Sequence, residues 1–110
     1  MKIPKQRTNK FNARKTAIDG IVFHSAAEAN RYKVLKLLEK AGEICNIELQ
    51  VPYYFIYNGA KIFTYYADFV YRIGNNSKII EDVKGMRTPL YRLKKKLIEA
   101  QHGIKITEVK

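Results

Sequence analysis

The sequence "IIEDVKG", from Ile79 to Gly85, begins like a buried β-strand and then places two carboxylates and an amine among its apolar residues. Strand residues alternate between the two faces of a sheet, so Asp82 and Lys84 are predicted to share one face and Glu81 to point to the other. Charge in a strand of this apolar character indicates either an ion pair at the exposed end of the strand or a site for chemistry.

Turn and cap residues delimit the elements that precede this strand. Asp19-Gly20 predicts a two-residue hairpin turn between two short apolar segments. Ser25 is typical of the residue that caps the start of a helix, and Gly42 of the residue that ends one. Three strand-like stretches follow this helix, at about residues 44–57, 61–73 and 78–84.

Proline and glycine define the rest of the predicted fold. Pro52 indicates an edge strand or a bulge in the first long stretch. Thr88-Pro89 predicts the start of a second helix, and Gly103 its end. The closing segment "IKITEV" alternates like a strand, and it can lie parallel to its neighbour because it returns after a helix. The sequence therefore predicts one α/β domain over residues 16–110, with an αβββαβ core and a mixed central sheet flanked by helices.

Length and composition limit the classes of function. The 110 residues suit one domain, and a hydrophobic content of 46% is typical of a folded chain. No apolar run approaches the ~18 residues that span a bilayer, and the first fifteen residues lack the apolar centre of a secretory signal. Cys45 is the single cysteine, so an internal disulfide and a zinc-binding cysteine pair are both excluded. We therefore expect a cytoplasmic protein with no membrane partner.

Positive charge is the strongest bulk signal. Twenty-one Lys and Arg residues oppose ten Asp and Glu residues, which gives a net charge of +11 and favours a polyanionic partner through counterion release. The charge is concentrated in two acid-free clusters, one in residues 1–15, which we expect to be a flexible basic arm, and one in residues 84–96. This distribution favours nucleic acid over a membrane surface, and the alternative is charge that only keeps the protein in solution.

The turn before the charged strand predicts which carboxylates meet. A hairpin centred on Asn75 puts Asp68 opposite Asp82 and Tyr66 opposite Lys84, with facing Cβ atoms roughly 4.5–5.5 Å apart. Two facing carboxylates repel each other. A divalent cation between them would make the interaction attractive, and Mg²⁺ prefers oxygen ligands. Lys84 would then stabilise charge on a reacting phosphate, or orient or deprotonate a metal-bound water. The alternative is an ordinary ion pair of Asp82 with Lys84 or an arginine.

Two motifs in this order resemble those of the PD-(D/E)XK nuclease superfamily, whose αβββαβ core carries an Asp on its second strand and a (D/E)-x-K triplet on its third. "YADFVY" places the Asp at Asp68, and "EDVKG" places the triplet at Asp82-Val83-Lys84. Ala67 stands where the superfamily has proline. The run from Phe23 to Val109 more closely resembles a family of small phage-encoded nucleases within that superfamily.

The resemblance implies a DNA endonuclease that hydrolyses phosphodiester bonds with Mg²⁺, for which Mn²⁺ would substitute. Asp68 and Asp82 would hold the metal, with the carbonyl of Val83 as a third oxygen ligand. Lys84 would position or activate the attacking water. The resemblance also implies a place of action in the cytoplasm of a phage-infected or lysogenic bacterial host.

The two helices offer further site residues. Many superfamily members add a Glu from the first core helix, and Glu28 matches that place as a catalytic residue and metal ligand; the alternative is a capping box with Ser25, which needs no active site. Lys94 matches a Lys that some members carry in the second helix, where it would contact phosphate. Tyr91 is its i, i+3 neighbour and would stack or form a hydrogen bond. Further contacts to nucleic acid are expected from Arg87, Arg92, Lys95 and Lys15.

The resemblance leaves the substrate open. Branched DNA, such as a Holliday junction, is one expected substrate, because small resolvases of this superfamily are basic and often dimeric. A homodimer would supply two active sites for two strands. A non-catalytic nucleic-acid-binding protein on the same fold is the alternative, and a nuclease that acts on RNA is a third interpretation.

Overall fold

A computed structural model describes residues 16–74 and 77–110 of the chain. The predicted basic arm over residues 1–15, including Lys15, lies outside the described residues, and so does Asn75 at the centre of the predicted turn. Neither of the two helices in the described part of the chain is long and apolar enough to cross a membrane.

The first elements follow the predicted caps and turn. Strands β1 (Thr16–Ile18) and β2 (Ile21–Phe23) form an antiparallel hairpin, and Asp19 and Gly20 between them have φ angles of 54° and 78°. Two successive positive φ values are typical of the hairpin turn that matches strand twist. Helix α1 (Ala26–Lys40) follows this hairpin directly.

Helix α1 begins and ends at the predicted cap residues. The backbone N–H of Glu28 donates to the hydroxyl of Ser25 at 3.1 Å. At the other end Gly42 has a φ of 82°, and the N–H groups of Gly42 and Glu43 donate to carbonyls of the last helical turn. A residue with positive φ in this place lets the chain turn back and satisfies carbonyls that the helix leaves free, which explains the glycine.

The main sheet has four strands in the spatial order β3-β4-β5-β6. Strands β3 (Cys45–Tyr57), β4 (Ala60–Ile73) and β5 (Ser77–Val83) pair antiparallel in sequence, and β6 (Ile106–Val109) pairs parallel to β5. Helix α2 (Pro89–His102) makes the crossover that parallel pairing requires. From α1 onward the order is αβββαβ, so the predicted mixed sheet and core are confirmed. Pro52 lies on the edge strand β3, as predicted.

The sheet separates two hydrophobic cores, which we name after the helices that cover them. The α1 core contains Phe23, Ala29, Tyr32, Leu35, Ile44, Phe69 and Tyr71. The α2 core contains Tyr65, Ala67, Val70, Ile80, Ile98 and Ile106.

Strand β3 changes the face that it presents to these two cores. Ile47 and Leu49 pack against the α1 core, whereas Val51 and Tyr53 pack against the α2 core. Alternate residues of a regular strand face the same side, so the strand must reverse its faces between these pairs. Gln50 lies at the reversal and has a φ of 49°, a backbone conformation that side-chain-bearing residues seldom adopt.

Strand β4 reverses its faces beside the same point. Ala67 belongs to the α2 core and Phe69 to the α1 core, although regular alternation would put both on one side. Asp68 stands between them, and the neighbouring ladder pairs Leu49 with Phe69 and Val51 with Ala67. Because of this reversal, the Asp68 carboxylate is accessible from both sides of the sheet.

A buried ion pair fixes α1 on strand β5. The guanidinium of Arg31 donates to both carboxylate oxygens of Glu81, at 2.9 and 2.6 Å, and the hydroxyl of Tyr71 donates to the same carboxylate. The Glu81 carboxylate is buried, so these donors replace the water that it gives up. Glu81 faces α1, away from Asp82, as the alternation of the strand predicts.

Arg31→Met is expected to lower the free energy of unfolding by about 3–5 kcal/mol, because it leaves the Glu81 carboxylate buried without its cation. Denaturant titration measures the change. Lys36→Met is the matched control on the same helix, since the Lys36–Glu39 pair is exposed to solvent. An exposed pair contributes little, so the control should unfold like the native chain. Equal losses in both variants would contradict a structural role specific to the buried pair.

Candidate active site

The β4–β5 ladder ends where the two predicted carboxylates stand. Its pairs run from Ile73 with Ser77 to Phe69 with Glu81, which is the register predicted from a hairpin centred on Asn75. The pairing stops one step before Asp68 and Asp82. In its place the backbone N–H of Val83 donates to Asp68 Oδ2 at 2.8 Å. A side chain thus occupies the position of the next ladder bond, and the strands separate around the two carboxylates.

Asp82 is held on the α2 side of β5 by one strong hydrogen bond. It is 2% exposed, the hydroxyl of Tyr65 donates to its Oδ2 at 2.6 Å, and Lys84 Nζ lies 3.7 Å from its Oδ1. Burial raises the pKa of Asp82, and the neighbouring Asp68 raises it further, while the Tyr65 hydroxyl and the Lys84 charge lower it. The raised pKa means that the cost of burying the carboxylate is larger than the stabilisation that Tyr65 and Lys84 give to its charged form.

Asp68 has a similar imbalance. Its Oδ1 accepts from Gln50 Nε2 at 3.1 Å, and its Oδ2 accepts from the backbone of Val83. Burial raises the pKa of Asp68 to about 6, and the nearby Glu28 carboxylate adds to the rise, while the Val83 hydrogen bond opposes it. Asp68 and Asp82 are therefore two buried carboxylates beside each other, and the pKa of each is raised.

The carboxylates on the two faces of β5 differ in how well nearby cations compensate their charge, as a comparison with the neighbouring Glu81 shows. On the α1 side, the Glu81 carboxylate has a guanidinium that binds both of its oxygens. On the α2 side, the Lys84 ammonium lies at an ion-pair distance from Asp82, and no cation of residues 16–74 and 77–110 lies at such a distance from Asp68. Buried charge without matching charge is costly, so the carboxylates on this side of the strand are less well compensated than Glu81.

A cavity of about 280 Å³ opens at these carboxylates, and residues of α2 form its far wall. Tyr91 and Lys94 both line it, as their predicted common helix face requires. Lys84 Nζ lies 4.8 Å from the centre of the Tyr91 ring, and Lys94 Nζ lies 5.3 Å from that of Phe63. The complete lining is Thr64, Tyr65, Tyr66, Asp68, Asp82, Lys84, Thr88, Leu90, Tyr91 and Lys94.

Glu28 lies on the other side of Asp68 and serves as a helix cap. Its Oε1 accepts from the backbone N–H of His24 at 3.1 Å, in addition to the Ser25 contact at its own N–H. It lines a second, smaller cavity of about 100 Å³ that also includes Gln50 and Asp68. Among residues 16–74 and 77–110, no three Asp, Glu, His or Cys side chains come together as a metal-binding group. The capping interpretation of Glu28 is thus seen directly, and its catalytic role stays a prediction.

The other predicted nucleic-acid contacts occupy varied environments. Arg87 Nε lies 2.7 Å from Glu108 Oε1, and Lys95 Nζ lies 3.3 Å from Glu99 Oε2, whereas Arg92 is exposed on α2. Surface pairs of this kind contribute little to stability, so phosphate can compete for both cations. Lys15, as noted, lies outside the described residues.

Sequence reasoning missed two residues that contact the carboxylates, Gln50 and Tyr65. The Asn58-Gly59 turn pairs Tyr57 with Ala60, and that register continued along β3 would put Leu49 opposite Asp68. An extra residue in β4, Ile62, lies between the Ile56–Lys61 and Phe55–Phe63 pairs, and the resulting one-residue shift in register brings Gln50 there instead. No sequence signal marks that shift, and Tyr65 is one of several aromatic residues in a run that alternation alone cannot sort.

Fold and site together define an α/β protein in which two buried carboxylates and a lysine meet at the point where two central strands separate. A family model described as "Protein of unknown function (DUF1064)" matches residues 8–110, and the chain belongs to that family. No curated protein and no solved structure matches the chain.

Asp68→Asn is expected to stabilise the metal-free protein increasingly as the pH rises. The unfolded chain ionises Asp68 near pH 3.9, whereas the folded protein holds that proton until about pH 6. Ionisation therefore lowers stability between these two pH values, and the native chain bears that loss above pH 6, whereas the Asn variant does not.

Denaturant titrations of both chains in EDTA at about pH 4 and pH 7 measure the difference in their free energies of unfolding. Comparing that difference, rather than either stability alone, cancels the titration of the groups that do not interact with Asp68. A difference that is the same at both pH values would contradict the raised pKa of Asp68.

Proposed function

We propose that this protein is a Mg²⁺-dependent DNA endonuclease that hydrolyses phosphodiester bonds. The observation that carries the proposal is the group formed by Asp68, Asp82 and Lys84 at the separation of β4 and β5, with two buried carboxylates whose pKa values are raised because the surrounding donors do not offset their burial. The order of these residues along an αβββαβ core and the net charge of +11 support the same conclusion.

The donor set fits a hard divalent cation. Carboxylate and carbonyl oxygens are the ligands that Mg²⁺ prefers, and it is commonly bound through one or two carboxylates with water and phosphate completing the coordination. Asp68, Asp82 and the carbonyl of Val83 would hold it, with Glu28 as a further ligand from α1. When bound, the ion would supply charge neutralisation at the scissile phosphate and acidify bound water.

The remaining residues have roles that their positions support. As the ammonium, Lys84 would orient the attacking water or stabilise charge on the phosphate, and as the neutral amine it would take a proton from that water, because it reaches both Asp82 and the cavity. Tyr65 keeps the Asp82 carboxylate oriented, since its hydroxyl binds one oxygen and leaves the other toward Lys84. Lys94 on the far wall would contact a phosphate beside the scissile one.

We extend the proposal to the setting of the reaction. DNA is the proposed polyanion, and branched DNA such as a Holliday junction is the proposed substrate within that class. A homodimer would bring two such sites to two strands. The place of action would be the cytoplasm of a phage-infected or lysogenic bacterial host.

Cleavage assays test the activity directly. The purified protein is incubated with a labelled four-way junction, the matching linear duplex, a single strand and an RNA of the same sequence, each with Mg²⁺ and with EDTA. Cleavage of DNA that requires Mg²⁺ is expected. Faster cutting of the RNA would instead support a ribonuclease, and no cleavage of any substrate would favour the non-catalytic binding protein.

Substitutions test the residues. Asp82→Asn is expected to abolish cleavage, and Lys84→Met to slow it by about 10²–10³-fold, because a positioned charge at the reacting phosphate is removed. Glu43→Gln and Lys33→Met are matched controls, since both side chains are exposed away from the cavity and outside the basic cluster of residues 84–96. Activity retained by Asp82→Asn would overturn the assignment of the site.

Metal binding can be measured without activity. Saturating Mg²⁺ is expected to raise the melting temperature by about 5 °C or more, because it binds the folded state and relieves the repulsion between Asp68 and Asp82. Asp68→Asn and Asp82→Asn should lose most of this rise. KCl at matched ionic strength controls for general screening, and an equal rise in KCl would contradict a specific site.

A further inference from the structure

The β3–β4 hairpin extends well beyond the rest of the sheet. Strand β4 pairs with β5 only from Phe69 to Ile73, so from Ala60 to Asp68 its one described strand partner is β3. One face of this extension packs on α2 through residues such as Tyr53 and Tyr65 of the α2 core. We call the opposite face the hairpin platform; it consists of Pro52, Tyr54, Ile56, Lys61, Thr64 and Tyr66, and the exposed Ile62 follows Lys61 where the ladder register shifts.

The hairpin platform presents large rings and apolar side chains to solvent. Tyr54 is 42% exposed, Tyr66 is 55% exposed and Ile62 is 56% exposed. The ladder pairs Pro52 with Tyr66 and Tyr54 with Thr64, so the two tyrosines are diagonal neighbours on one face. Diagonal neighbours are roughly 7–8 Å apart, a separation at which two adjacent rings can each meet a separate flat group.

Charge distinguishes between the partners that such a face could take. Between Val51 and Ala67 the chain contains Lys61 and no carboxylate, so nothing on the extension repels a polyanion. The Lys61 ammonium lies 4.4 Å from the centre of the Tyr54 ring, which puts a cation beside the exposed aromatic surface. A second copy of the chain would bring another +11 of net charge to the same face, and the two copies would repel each other.

The hairpin platform is continuous with the candidate active site. Thr64 and Tyr66 belong to the platform and also line the cavity that contains Asp82 and Lys84. A strand lying on the tyrosines would therefore run toward the two carboxylates without leaving the protein surface.

We propose that the hairpin platform binds unpaired single-stranded DNA, with bases stacked on Tyr54 and Tyr66 and phosphate contacted by Lys61, and guides that strand into the cavity at Asp82. The statement that the strand is cut there rests on the function proposed above. Aromatic side chains beside a cation are the usual elements of single-strand recognition, because every base offers a flat face to a ring.

Stacking on exposed rings selects unpaired DNA over duplex. In a duplex the base faces are covered by their neighbours, so the tyrosines can meet only the backbone. The preferred substrate would thus be DNA with an unpaired segment next to the scissile bond, and fully paired DNA would bind through the basic surface alone.

Equilibrium binding in EDTA tests the inference apart from cleavage. Fluorescence anisotropy measures the Kd of a labelled oligothymidine of about 12 nucleotides for the native chain, for Y54L/Y66L and for Y54F/Y66F. Leucine keeps apolar area but removes the ring, whereas phenylalanine keeps the ring and removes only the hydroxyl. The leucine variant is expected to bind at least about tenfold more weakly, and the phenylalanine variant like the native chain.

A fully paired duplex of the same length is the matched probe for each variant, and its Kd is expected to stay within about twofold because the basic surface is untouched. Equal losses for duplex and oligothymidine, or undiminished binding of oligothymidine by the leucine variant, would overturn the inference. Tighter binding of an oligouridine than of oligothymidine would overturn the assignment to DNA. A native dimer that Y54L/Y66L dissociates would show that the platform is occupied by a second copy.

The two proposals fail in different ways. If Asp82-dependent cleavage is found but Y54L/Y66L binds oligothymidine as tightly as the native chain, the inference about the platform is wrong and the endonuclease stands. If binding depends on the rings and no substrate is cut, the platform stands and the endonuclease is wrong.

Discussion

The contact between Arg31 and Glu81 is what allows a charged strand to lie in the middle of this protein. Strand β5 has a neighbour on both sides and a helix over each face, so any carboxylate on it loses its water. On the α1 side the guanidinium and the Tyr71 hydroxyl replace that water and fix the strand against the helix. The strand position is thereby set on one face, which leaves the other face free to keep a carboxylate that is poorly compensated. Asp82 occupies that face, where it is buried and poorly compensated, an arrangement that supports the metal site proposed above.

The geometry of the candidate site follows from a reversal in the two neighbouring strands. Because β3 and β4 exchange their faces at Gln50 and Asp68, the Asp68 carboxylate borders both the larger cavity next to α2 and the smaller one next to α1. A regular strand would have presented it to one side only. The strain at Gln50, a side-chain-bearing residue with a positive φ, is compensated in part by the hydrogen bond of its amide to Asp68.

Much of this arrangement was predictable from local sequence. Ser25, Thr88 and Gly103 fix the helix ends through bonds within a few residues, and the β4–β5 register that brings Asp68 to Asp82 is the one predicted from the sequence. The partners from distant elements were not predictable. Arg31 and Glu81 are fifty positions apart, and the role of Gln50 depends on one extra residue in β4. Local chemistry encodes turns and caps, whereas a bulge or a long-range ion pair depends on packing that no short window contains.

The backbone of Lys84 depends on the last strand of the fold. Its N–H donates to the carbonyl of Val109, and β6 can reach β5 only after α2 has crossed over the sheet. The hairpin that joins Asp68 to Asp82 needs only neighbouring residues, whereas the lysine is anchored by a contact of high sequence separation. During synthesis the two carboxylates can therefore come together before the lysine is fixed beside them. The growing chain would carry an incomplete candidate active site until β6 is in place. The site is therefore completed at the same time as the fold.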